Sequence, residues 1–207
     1  MVNVILLAPL YGNGGIASWT KKYIDTFPTE EFRLIPISSV LSSKNMQAPI
    51  YERLRKGGQE VGSIIKQLKK NIVENDVKIL HTTTSGSLGT FRDYQVGKLC
   101  KKYGVKTIMH CRYGCIPDIL EHNNFMRWAL LQTMKYYDQI WVLDKYSFNA
   151  LSAIPDICDK VRLTPNSIEV DRLDCIASKS YTNFIFMANV LPTKGIFELI
   201  EAVKKVK

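Results

Sequence analysis

Short apolar runs alternate with helical patterns along almost the whole chain, and that rhythm leaves few folds open. Strand candidates are Val4–Ala8, Phe32–Ile37, Val77–His81, Val105–His110, Gln139–Leu143, Lys160–Thr164 and Phe184–Ala188. Helix candidates lie between them at Ile16–Phe27, Tyr51–Glu74, Leu88–Tyr103, Glu121–Tyr136 and Lys145–Ala153. The strand candidates are continuous apolar runs, as expected of strands covered on both faces. This order predicts an α/β fold with a doubly wound, Rossmann-like parallel sheet. Gly57-Gly58 interrupts the longest helical stretch and predicts a split there.

The chain closes on one more strand pattern, a Pro-Thr-Lys-Gly turn and one amphipathic helix, Phe184 to Lys207. A single βα unit has no second face to pack against and buries no core alone. The expected organisation is therefore an N-terminal domain over 1–170, a polar interdomain linker over 171–183 and a truncated βα unit of a second domain over 184–207. The opening residues, Met1 to Leu10, carry no basic start and no small-residue cleavage site, and read as a buried strand. No apolar run approaches the roughly 20 residues that span a bilayer.

Five cysteines form no Cys-x-x-Cys pair; Cys111 and Cys115 are four apart, and Cys100, Cys158 and Cys175 are scattered. Reduced structural thiols in a cytoplasmic protein fit this better than a disulfide framework or a zinc site. The net charge of +9 gathers in Lys44 to Lys70 and in two Lys-Lys pairs. Such a stripe suits anionic lipid, phosphorylated substrates or plain solvent. Nucleic acid fits least, because no recognition motif accompanies it. Ile64, Ile65, Leu68 and Ile72 share one helical face beside Lys66, Lys69 and Lys70. That face either packs on the core or docks peripherally on an anionic membrane.

After the first strand comes Gly12-Asn-Gly14-Gly15-Ile16, running straight into a helix. Glycines let a ligand approach the backbone, and a helix N-terminus offers free N–H groups and a positive dipole end. Three readings stay open: a phosphate site, a dinucleotide cofactor site of an oxidoreductase, or a turn needed only for tight strand–helix packing. The cofactor reading lacks an acidic residue after the second strand, where Ser38 and Ser39 stand.

Five segments together resemble the family-4 retaining glycosyltransferases, which have the two-domain GT-B fold. They are Gly14-Gly15-Ile16, Thr107 to Gly114 with its strand-end histidine, Trp141 to Ser147, Thr164 to Asp171, and Ala188 to Gly195 with its Lys-Gly element. The resemblance implies that this chain is the acceptor-side half with the start of the donor half. It implies a nucleotide-sugar donor, a saccharide or lipid-linked acceptor, no cofactor and no metal, in surface polysaccharide synthesis at the inner face of the plasma membrane. A binding-only module that presents a sugar site is the alternative.

By that resemblance Gly14, Gly15 and Ile16 face the donor diphosphate, Lys194 neutralises it, and His110 contacts the reacting sugar. Asn189 stands where the family usually has an arginine, and Asn166-Ser167 where it often has Asn-Gly. Arg112 is then an acceptor contact or a compensating phosphate ligand. The family's Glu, seven residues, Glu pair would lie beyond Lys207; the same spacing at Glu52 and Glu60 falls in the wrong domain. His81 ends the third strand pattern, and Thr83 and Ser85 beside it offer hydroxyls to an acceptor sugar, with helix capping by Ser85 or Ser87 as the alternative. His122 reads as a surface residue, and Trp19, Trp128 and Trp141 read as packing.

Overall fold

The computed structural model describes residues 1–12, 14–40, 50–86, 89–122, 124–167, 185–188, 190 and 194–206. Asn189, Cys175, Ser87 and the expected linker 171–183 lie outside the described residues. The chain divides into two compact units, Met1–Asn166 and Ser167–Lys207.

Among its described residues the first unit holds six strands: β1 (Val2–Ala8), β2 (Phe32–Ser38), β3 (Val77–Thr84), β4 (Lys106–Cys111), β5 (Gln139–Val142) and β6 (Val161–Leu163). All pair in parallel, in the order β2-β1-β3-β4-β5-β6. The described α-helices that connect them are α1 (Gly15–Asp25), α2 (Ile50–Glu74), α3 (Gly89–Tyr103), α4 (Ile116–Glu121), α5 (Phe125–Met134) and α6 (Lys145–Ser152), with a short 3-10 turn at Cys158–Lys160 before β6. This is the Rossmann-like sheet that the strand rhythm predicts.

The strand order reverses once. The step from β1 to β2 runs toward one edge, and every later step runs toward the other. Parallel crossovers are right-handed, so the reversal puts α1 alone on one face and α2 to α6 on the opposite face. The side chains agree. Cross-strand neighbours Leu7, Thr82, Met109 and Ile140 face the many-helix side. There Ile64, Leu68 and Ile72 of α2 and Val96 and Cys100 of α3 close one core cluster. Leu130 and Met134 of α5, Ile116 of α4 and Leu151 of α6 close the adjoining one.

This settles the reading of α2. Its apolar face is buried in the core, with Leu68 wholly inaccessible, so that face is not free to meet a membrane. Lys66, Lys69 and Lys70 stay exposed beside it. No helix among the described residues is long and apolar enough to cross a membrane.

Two expected boundaries were different. The helix does not split at Gly57-Gly58 but runs unbroken through both. A glycine inside a helix costs about 1 kcal/mol relative to alanine. Burying Val61, Ile64, Leu68 and Ile72 returns roughly 1.5–3 kcal/mol for each large side chain. The helix expected over Glu121–Tyr136 starts later, at Phe125, and a separate helix, α4, ends at Glu121 before it. Asn124 takes an extended conformation (φ −132°, ψ 178°), and its side chain accepts the Arg127 N–H at 3.1 Å, which starts α5 afresh.

In the second unit, α7 (Ile196–Val206) forms as expected, behind Gly195 at φ +80°. Residues 185–188 form no strand. A strand exists only through ladder hydrogen bonds to a partner, and no described residue of this unit offers a sheet edge.

Gly97 marks the closest packing between α3 and the chain just past α5. A Cβ there would meet the Tyr136 Cβ at 2.8 Å and the Tyr137 ring at 2.9 Å. Both neighbours are held by the core, so Gly97→Ala is expected to cost about 1–3 kcal/mol by overpacking. Urea unfolding with an unchanged m-value is the check; an unchanged midpoint would refute it.

Candidate functional site

The face under α1 carries the polar residues. The register places Leu6, His81, Ile108 and Gln139 in one cross-strand row. The next row toward the carboxyl edge is Thr83, His110, Trp141 and Arg162. His81 therefore does not end its strand. β3 continues to Thr84, and His81 lies inside it at 1% exposure. The threonine run is β-branched and extends the strand beyond its apolar part.

The two histidines meet. His81 Nε2 and His110 Nδ1 are 3.3 Å apart, and the rings lie 16° from parallel. His81 Nδ1 is 3.2 Å from the Tyr23 hydroxyl, and His110 Nε2 is 3.4 Å from Arg112 Nη1. Trp19 sits edge-on to both rings at 5.9 and 5.1 Å, and Trp141 does so at 5.1 and 5.7 Å. Trp19 also stacks on Tyr23 at 4.8 Å, because positions four apart share a helix face. The guanidinium of Arg112 caps the cluster, 4.3 Å above the Trp19 ring.

This enclosure sets the protonation states. Burial lowers the His81 pKa to about 4, with a smaller push from Arg112. Burial lowers His110 to about 3, helped by His81 and Arg112. Both rings are neutral at neutral pH. Arg112 Nε is buried without a partner, as is the Thr83 hydroxyl beside His110.

The strand order reverses at β1, so the crevice beyond the carboxyl ends of β1 and β3 is where open α/β sheets bind ligands. The N-terminus of α1 opens there. Gly14 is its N-cap without a side-chain cap, and no acidic residue lies in the first turn. A Cβ at Gly14 or Gly15 would meet nothing within 4 Å. The packing-only reading of this loop therefore fails: these glycines face open space. Only Gly12, at φ +119°, needs to be glycine for its backbone. Ile16 is half-buried, and its carbonyl accepts the Thr20 hydroxyl at 2.8 Å.

A buried ion pair fixes the crevice's far wall. Arg92 reaches Asp93 Oδ1 through Nε at 2.9 Å and Nη2 at 2.7 Å. The same guanidinium donates to the carbonyls of Ser39 at 3.2 Å and Thr83 at 3.1 Å, tying the ends of β2 and β3 together. Ser39 is buried in that tie. A cofactor ribose would need an acidic residue at this strand end, so the dinucleotide reading loses its support.

The remaining expected residues disperse. Ser85 is exposed just past β3, and Asn166 is exposed past the edge strand β6. Lys194 is exposed in the second unit. His122 is on the surface, its Nδ1 2.8 Å from the Asp118 carbonyl. Trp128 is not packing: it is 58% exposed beside the exposed Phe125. Trp19 and Trp141 do pack, but around the histidines. Tyr23 was not anticipated, although its spacing from Trp19 carried the signal. Among the described residues no three His, Cys, Asp or Glu side chains gather as a metal site.

No family model matches the chain, and no curated protein does. Among solved structures, LpCGTa in complex with UDP aligns at 10% identity with a TM-score of 0.46. The alignment covers 82% of this chain and 55% of that one, so this chain spans about half the length of that structure.

The neutral pair makes the fold sensitive to acid. Both histidines have folded pKa values below the unfolded 6.5, so the unfolded chain binds more protons as pH falls below 6.5. Stability is fully present above that value and declines toward pH 4. The expected loss by pH 4.5 is roughly 2 kcal/mol for each histidine. Denaturant titrations of the wild type and His81→Gln check this; the variant should show the shallower pH slope, and equal slopes would contradict the assignment.

Proposed function

We propose that this chain is the acceptor-side half of a retaining, nucleotide-sugar-dependent glycosyltransferase of the family-4 type. The observation that carries the reading is the uncapped, glycine-led N-terminus of α1, open at the switch-point crevice on the face where Arg112 and His110 lie. The ordered motifs from Gly14 to Gly195 add to it.

When a nucleoside diphosphate leaves, negative charge develops on its oxygen, and fixed amides and cations aimed there lower the barrier. In this half, the amides of Gly14, Gly15 and Ile16 and the guanidinium of Arg112 serve that role. His110 is neutral and accepts a hydrogen bond from a sugar hydroxyl at its bare ring nitrogen; it is not an imidazolium that could act as a general acid. Thr83 lends a buried hydroxyl beside it, and Ser85 and Asn166, exposed past the ends of β3 and β6, would serve the acceptor. By the family resemblance Lys194 is the residue that would neutralise a diphosphate, and Asn189 stands in place of the family's arginine. A saccharide or lipid-linked acceptor of surface polysaccharide synthesis, met at the inner face of the plasma membrane, completes the proposal.

Trp19 lies under Arg112 and reports on it. Titration with UDP, ADP and GDP is expected to change tryptophan fluorescence, and Arg112→Gln should weaken the response about tenfold or more, or about 1.4 kcal/mol. NAD(P) should give no response. A response to NAD(P) with none to the diphosphates would overturn the proposal in favour of an oxidoreductase. Product analysis with nucleotide sugars should show little or no turnover by these 207 residues alone.

A further inference from the structure

We propose that Tyr23 and His81 are positioning residues that fix His110 in one tautomer, with a bare Nε2 facing Arg112. The inference deepens the proposed function and rests on it for the identity of the substrate hydroxyl, though not for the tautomer itself.

Donor and acceptor chemistry fixes the direction of each hydrogen bond. The guanidinium of Arg112 can only donate. At 3.4 Å from Arg112 Nη1, His110 Nε2 must therefore be the acceptor, and the His110 proton sits on Nδ1. Nδ1–H then donates across 3.3 Å to His81 Nε2, which must be bare. The His81 proton is left on Nδ1 and donates to the Tyr23 hydroxyl oxygen at 3.2 Å. Every link points the same way, from Arg112 through His110 and His81 to Tyr23. Reversing any one link sets two donors or two acceptors against each other in a site where both rings are at most 3% exposed. An unpaired buried polar group is costly enough to hold the chain in one sense.

The aromatic frame limits escape by ring rotation. Trp19 and Trp141 stand edge-on to both imidazoles. Tyr23 is the outer end of the chain, and it comes from α1, the same helix whose N-terminus opens at the crevice. The element that would bind the anion thus also sets the hydrogen-bonding sense of His110. A bare Nε2 accepts from Arg112 in the free protein and selects, among substrates, a group that donates: a hydroxyl.

The test is nitrogen-detected NMR of the histidines in the ligand-free chain at pH 7. The wild type should show protonated Nδ1 and bare Nε2 on both rings. Tyr23→Phe keeps the ring and removes the final acceptor, so it should convert His110 from one tautomer to a mixture of two. His81→Leu should shift His110 further toward Nε2–H, whereas His81→Gln, whose amide oxygen can accept, should restore the wild-type state. Dispersed amide spectra establish that each variant folds, and Tyr23→Phe alone decides the matter if the His81 variants do not. An Nε2–H tautomer in the wild type, or a His110 tautomer indifferent to Tyr23→Phe, would overturn the inference. No nucleotide is present, so failure to bind UDP and failure of this relay are separate results.

Discussion

The handedness of parallel crossovers governs this molecule. One reversal of strand order puts α1, among the described helices of the first unit, on one face of the sheet and the others on the opposite face. The opposite face has five helices and two adjoining apolar clusters, and its strands supply Leu, Val, Ile and Met. The α1 face cannot be sealed in that way. Trp19 and Tyr23 span the gap as large flat rings, and the strands beneath present His81, His110 and Trp141. A polar row survives there because each ring nitrogen has a partner.

The carboxyl edge is held separately. Arg92 and Asp93 are almost fully buried, at 7% and 0% side-chain exposure. Burial raises the Asp93 pKa, and Arg92 chiefly opposes that rise. A buried pair of this kind adds little net stability, yet removing one partner typically costs 3–5 kcal/mol. Its geometric effect is plainer. It pins Ser39 and Thr83 by their carbonyls, and so fixes the strand ends between which the glycine loop opens.

Much of the fold was legible because buried parallel strands are continuous apolar runs, and Val4–Ala8 or Val105–His110 can be nothing else in this context. Periodicity misplaced the helix breaks, since it weighs local residues only. Gly57-Gly58 looked like a break, but the burial of α2 lies in tertiary contacts. Asn124 fell inside an expected helix, but it caps α5. The histidine pair was harder still. His81 and His110 are 29 residues apart, and they meet only because the register sets Thr83 opposite His110 and leaves His81 one step back on the same face. Pattern gives the face of a strand; the register between strands is a long-range property.

The charge arrangement in the first unit follows from the same geometry. Two neutral imidazoles fill the buried row, while positive character is confined to its rim: the α1 dipole end and Arg112. A charged His110 would place a second cation against Arg112 in a low-dielectric site, and burial removes that state. On the proposed reading this division is functional. The diphosphate's charge meets fixed amides and a guanidinium at the rim, and the sugar meets a hydrogen-bond acceptor further in. A neutral acceptor does not compete with the rim for the anion, so one small crevice can hold both ends of the donor's reacting bond without setting them against each other.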